Sequence, residues 1–121
     1  MRLEPIIAVD FDGTIAENDY PNVGEALPGA LEGLREMKAA GCKLILWTCR
    51  HGDNLQAAVD WLVERDAMVF DAINDHSSHD LIPDRSKRGR YTQTYNLDDK
   101  SFPPFPGWPE FMKWFRNESN D

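Results

Sequence analysis

Short apolar runs alternate along the chain with segments of helical spacing, and this alternation constrains the fold more than any other feature. Ile6-Ile7-Ala8-Val9, the run from Lys43 to Thr48 and the run from Met68 to Ile73 are short, mostly apolar and rich in β-branching. A strand with one solvated face alternates apolar and polar residues, whereas a strand covered on both faces is apolar throughout, as in parallel sheets. After the first run, Leu27, Leu31, Leu34 and Met37 recur at helical spacing, with Pro28 near the start and Gly41 just past the end. After the second, Asp53 followed by Gln56 resembles a capping box that opens a helix with Leu55, Ala58, Val59 and Leu62 on one face. Strands alternating with helices imply right-handed crossovers and a parallel sheet lying between helices, an α/β fold of three-layer α/β/α type.

The remainder is more polar. The stretch from Asn74 to Arg90 carries Pro83 and the basic cluster Arg85, Lys87, Arg88 and Arg90, and is expected to be a loop. Tyr91 to Leu97 is a polar candidate for a fourth strand. A stretch rich in proline and aromatic residues then leads through Pro109 into a short helix bearing Phe111, Met112, Trp114 and Phe115. Together with Trp108 this group is expected to form core or a subunit contact, since exposed it would be a large apolar patch. No repeat, linker or low-complexity block interrupts the chain, so residues 1–121 are expected to form a single domain, with the tail 117–121 frayed.

Charge and cysteine content narrow the function. Thirteen Lys and Arg stand against 21 Asp and Glu, a formal charge of −8. Such a balance argues against nucleic acid as a partner, because phosphate contacts supply most of that affinity. An anionic substrate would need a local positive device, such as a metal ion, to overcome the overall field. No apolar stretch approaches the roughly 18 residues of a membrane span, and the apolar start is too short for a signal peptide. If the run between Cys42 and Cys49 is a strand, the two lie about 23 Å apart, too far for a disulfide. A reducing, cytoplasmic location is expected.

In parallel α/β sheets ligands bind at the carboxyl ends of the strands. Here the first predicted strand ends in Asp10-Phe11-Asp12-Gly13-Thr14, the second in Thr48-Cys49-Arg50 and the last in Asp98-Asp99. Alternate residues of an extended chain point the same way, so Asp10 and Asp12 can address one reacting group as nucleophile and general acid/base. Gly13 would let the backbone turn sharply and aim its N–H groups at an anion. Crowded carboxylates suit a hard cation such as Mg²⁺, and Asp99, with Asp98, would complete its site. A Thr48 hydroxyl and one cation from the basic cluster would then hold the equatorial phosphate oxygens. Taken alone, Thr48 is an ordinary strand residue and Asp98-Asp99 a solvated turn; their order after the first motif is what gives them weight. Arg50 either contacts substrate or caps a helix. His76 and His79 have a spacing seen in metal sites but lack a second pair, and are expected at the surface.

Val9-Asp10-Phe11-Asp12-Gly13-Thr14 resembles motif I of the haloacid dehalogenase-like hydrolase superfamily. Leu44-Ile45-Leu46-Trp47-Thr48 is similar to its motif II and Leu97-Asp98-Asp99 to its motif IV, in the right order over most of residues 6–99. The resemblance implies a Rossmann-like fold and a phosphatase in which Asp10 becomes an aspartyl-phosphate and Asp12 protonates the leaving oxygen, then activates water. It implies Mg²⁺ held by Asp10, the main-chain carbonyl of Asp12, and Asp98 or Asp99. Phosphate is expected among Phe11, Asp12, Thr48, Cys49 and Arg50. A motif III cation would join them: Lys87, the only lysine nearby, or Arg90, which matches by simple spacing. No gap between these motifs can hold a cap domain, so the fold would be capless. Substrate choice, with a small phosphorylated metabolite expected, would then fall to residues 16–26, residues 74–90 or a neighbouring subunit of a homo-oligomer. Two other readings keep the acidic pocket: a non-enzymatic receiver-like phosphoacceptor and a phosphate-binding scaffold with weakened catalysis.

Overall fold

The computed structural model describes residues 6–74, 94–98 and 105–119. In chain order these form β1 (Ile6–Val9), β2 (Ala16–Asp19), β3 (Asn22–Ala26), α1 (Ala30–Ala39), β4 (Lys43–Leu46), α2 (Gly52–Glu64), β5 (Ala72–Ile73), β6 (Thr94–Leu97) and α3 (Trp108–Ser119). The fold is α/β. Four strands make a parallel sheet in the order β5-β4-β1-β6, and β2 and β3 make a separate antiparallel hairpin.

The register of the sheet sorts its side chains into two sets. Val9 lies opposite both Leu46 and Leu97, and Ile7 opposite Leu44. These five pack in one buried cluster with Leu34 and Met37 of α1, Trp61 and Leu62 of α2, and Trp108, Phe111, Met112 and Phe115 of α3. The alternate residues Ile6, Ala8 and Ile45 are also buried, in a second cluster with Ala72 against it. Burial on both faces is why β1 and β4 are continuous apolar runs, each large aliphatic side chain contributing about 1.5–3 kcal/mol.

Two expected strands are shorter than their apolar runs. β4 ends at Leu46, before Trp47 and Thr48, and β5 keeps only Ala72 and Ile73 of the run from Met68. At the start of β5 the Leu44 N–H donates to the Asp71 carboxylate (2.8 Å) and the Asp71 N–H to the Leu44 carbonyl (2.8 Å). A side chain thus takes the place of a backbone acceptor there, and the regular ladder starts after it.

The expected Asp53–Gln56 capping box does not form. His51 is the N-cap of α2 and makes no side-chain cap bond, so Asp53 falls inside the first turn. Gln56 instead donates to Asp60, one turn along (2.8 Å). Asp53 still favours the positive end of the helix dipole. At the other end of the chain, α3 continues through Ser119. Arg116 explains this: its guanidinium holds both Glu36 oxygens of α1 at 2.8 Å and fastens the last turns of α3.

α1 and α3 meet at Gly33, where a Cβ would come within 2.7 Å of the Trp108 ring. The β2–β3 hairpin has no counterpart among the sequence expectations. Glu17, Asn18, Asp19, Asn22 and Glu25 are all exposed, so it lacks the apolar alternation that marks a half-buried strand. No helix among the described residues is long and apolar enough to cross a membrane.

Candidate active site

The parallel ladder runs one step past the strands and defines the carboxyl edge of the sheet. The Asp10 N–H donates to the Leu97 carbonyl and the Trp47 N–H to the Val9 carbonyl, both at 2.9 Å. Asp10 and Asp98 therefore follow neighbouring strands, which lie about 4.8 Å apart in such a sheet. Thr48 follows β4 by two residues. Its N–H donates to Asn74 Oδ1 (2.7 Å), and its hydroxyl oxygen accepts the Arg50 N–H (3.1 Å). Asn74 also donates its own N–H to the Leu46 carbonyl (2.8 Å), from a left-handed backbone with φ 52°. Asparagine tolerates that conformation better than most residues, and an Asn directly after an apolar run was the available signal for this role.

The loop after β1 is closed on itself. The Phe11 carbonyl accepts from the N–H groups of Thr14 (3.2 Å), Ile15 (2.9 Å) and Ala16 (3.2 Å). Gly13 makes the turn at φ 85°, and its N–H donates to the Ala16 carbonyl (2.7 Å). These amides are satisfied internally, which corrects the expectation that Gly13 aims them at an anion. Phe11 needs a second correction. Its ring is fully buried, edge-on to Trp61 at 5.6 Å, so any contact of Phe11 with phosphate falls to its main chain and not to its ring. From below, the Trp108 indole N–H donates to the Thr14 carbonyl (2.7 Å) and fixes the far end of the loop.

Asp12 and Arg50 form the most strongly organised part of the site. Arg50 Nε donates to Asp12 Oδ2 (2.8 Å) and Nη2 to Asp12 Oδ1 (2.7 Å), a bidentate pair. The remaining guanidinium hydrogens go to the carbonyls of Pro21 (3.1 Å), Asn22 (2.7 Å) and Asn54 (3.1 Å). The Phe11 and Tyr20 rings lie 5.3 and 5.1 Å from its central carbon. The Asp12 hydrogen bond raises the Arg50 pKa above the ordinary arginine value, against the opposing effect of burial. The Arg50 side chain is 1% exposed and every donor already has a protein acceptor. It therefore does not offer phosphate a free N–H, contrary to the substrate role expected for it, and it is not the N-cap of α2. Cys49, between Thr48 and Arg50, is exposed and Cys42 is buried, and the two form no disulfide.

Asp99, Lys87 and Arg90, with His76 and His79, lie outside the described residues. Among the described residues no three His, Cys, Asp or Glu side chains gather as a metal site. The donors at the edge are nonetheless of one chemical kind: carboxylates from Asp10 and Asp98 on adjacent strands, and the Asp12 carbonyl. Oxygen donors of this kind fit a hard divalent cation, whereas the Asp12 carboxylate is committed to Arg50. A cavity of ≈ 540 Å³ lies elsewhere, against the hairpin, lined by Glu17, Asp19, Glu25 and Arg65 among others and by none of the strand-end residues.

The chain matches no protein-family model and no curated protein. It is similar to the solved structure of a conserved protein from Bacteroides thetaiotaomicron, with a TM-score of 0.73 and 30% sequence identity over 97% of this chain and 93% of that one. With fold, identity and coverage all in agreement, the chain belongs to the same family as that conserved protein.

Proposed function

We propose that the chain is a phosphohydrolase of the haloacid dehalogenase-like type, with a Rossmann-like three-layer architecture, acting on a small phosphomonoester. The observation that supports this reading is the parallel register, which puts Asp10 and Asp98 just past adjacent strand ends, with Thr48 two residues past the end of β4 on the other side of β1. An Asp10 oxygen attacks phosphorus, and the bond from phosphorus to the leaving oxygen breaks, with a proton supplied by Asp12. Water then attacks the phosphoaspartate and gives its proton to Asp12, and the phosphorus–Asp10 bond breaks to release inorganic phosphate. The Thr48 hydroxyl accepts from the Arg50 amide and turns its own proton to a phosphoryl oxygen. Mg²⁺ held by Asp10, the Asp12 carbonyl and the Asp98-Asp99 pair would neutralise charge on the transferring group.

Phosphate release from p-nitrophenyl phosphate and a panel of phosphorylated metabolites, in Mg²⁺, tests this. Steady turnover is expected, falling by roughly 10⁴-fold in Asp10→Asn, the scale seen on losing a covalent nucleophile. Full activity in that variant, or no turnover by the native chain, would overturn it. One observation favours the scaffold reading instead: both Asp12 oxygens are already occupied by Arg50. Phosphate binding by calorimetry without turnover would select it. The receiver-like reading needs an acceptor Asp from a middle strand, and Asp71 spends its oxygens on Lys38 Nζ (2.7 Å) and the Leu44 amide.

A further inference from the structure

We propose that Arg50 is a positioning residue that couples the β2–β3 hairpin to Asp12: one buried guanidinium holds both Asp12 oxygens and the carbonyls of Pro21, in the hairpin turn, and Asn22, at the start of β3. A guanidinium has five N–H donors in a rigid planar fork. Here two go to Asp12, one to Pro21 in the turn between β2 and β3, one to Asn22 at the start of β3, and one to Asn54 in the first turn of α2. With its donors set in one plane, the carboxylate and the turn cannot tilt independently without losing a hydrogen bond. Tyr20, in the same turn, lays its ring over the guanidinium and accepts from Asn54 Nδ2 through its hydroxyl (3.0 Å). The base of the hairpin is tied to the same segment, because Gly13 donates to the Ala16 carbonyl. The orientation of the Asp12 carboxylate is therefore set together with that of the hairpin, through Arg50.

The kinetic half of this inference rests on the phosphatase reading; the structural half does not. With p-nitrophenyl phosphate and Mg²⁺, Arg50→Lys, which keeps the charge but loses the fork, is expected to lower kcat about 100-fold, the scale of misplacing a general acid/base. KM should change far less than kcat. Arg50→Lys should add nothing to Asp12→Ala in the double variant, because Arg50 acts through Asp12. Additive losses, or a raised KM at unchanged kcat, would overturn the assignment and make Arg50 a phosphate ligand. Backbone amide exchange decides the structural half in the native chain and in Asp12→Ala. The amides of β2 and β3 should exchange roughly tenfold faster in the variant, while those of β1 and β4 keep their protection. A hairpin whose exchange is unchanged overturns the coupling. If the native chain does not turn over, the phosphatase reading fails and amide exchange still decides the coupling. It does so equally if an Arg50 variant fails to fold.

Discussion

Asp12 and Asp71 are both ion-paired aspartates at the ends of strands, and the molecule uses them differently. Asp12 meets Arg50, whose side chain is 1% exposed, in a bidentate pair; Asp71 meets Lys38, 40% exposed, through one oxygen at 2.7 Å. The guanidinium carries the Asp12 contact onward to the hairpin and to α2. Among the described residues the ammonium of Lys38 carries nothing onward, and the second Asp71 oxygen is spent on sealing the Leu44 amide. Equal formal charge thus organises three segments in one place and closes a sheet edge in the other. What separates them is burial and the geometry of the cation.

Cutting the buried pair should have the largest effect on stability. Arg50→Ala leaves a partly buried carboxylate and three carbonyls without their donor, and is expected to cost about 3–5 kcal/mol in denaturant unfolding. A loss under about 1 kcal/mol, the value of an exposed pair, would erase the contrast with Asp71. Asp71→Ala should cost about 1–2 kcal/mol, mainly through the orphaned Leu44 N–H, and leave turnover unchanged. Its pH dependence sharpens the point. Burial pushes Asp71 up, but the Lys38 hydrogen bond, the Leu44 amide and the charges of Lys38 and Lys43 together hold it below the ordinary carboxylate value. A folded pKa below the unfolded one stabilises above the unfolded value and is lost as pH falls through the folded one. The stability difference between native chain and Asp71→Ala should therefore be flat above pH ~4 and shrink below it. A difference that grows on acidification would contradict that sign. The smallest effect belongs to Arg116→Ala, which cuts the exposed pair with Glu36: an unfolding midpoint indistinguishable from the native chain, with faster amide exchange confined to the last turns of α3.

Side chains that answer to local periodicity were legible in the sequence. β1 and β4 are apolar because both their faces are buried, and α1 shows its Leu and Met stripe because one face is. The acids after β1 and β6 were legible for a similar reason: a parallel sheet collects its strand ends on one edge. The hairpin was not: Ala16 and Val23 reach the core, but backbone pairing and Arg50 hold the rest, and neither of those leaves a hydrophobic pattern. Arg50 itself lies 38 residues from Asp12, and no local rule distinguishes a guanidinium buried against its own chain from one facing a substrate. The capping box failed for a related reason, since His51 rather than Asp53 takes the N-cap, directly after the segment anchored by Arg50. Asn74 exerts its effect through a left-handed backbone and a side-chain amide, both invisible to hydropathy.

The indole of Trp108 reaches the Thr14 carbonyl across 94 residues of sequence. On a ribosome, the turn that carries Asp10 and Asp12 is made before its buried donor and waits while the residues between them are added. Until α3 emerges, the turn lacks the indole that fixes it, so a segment far along the chain completes a turn begun well before it.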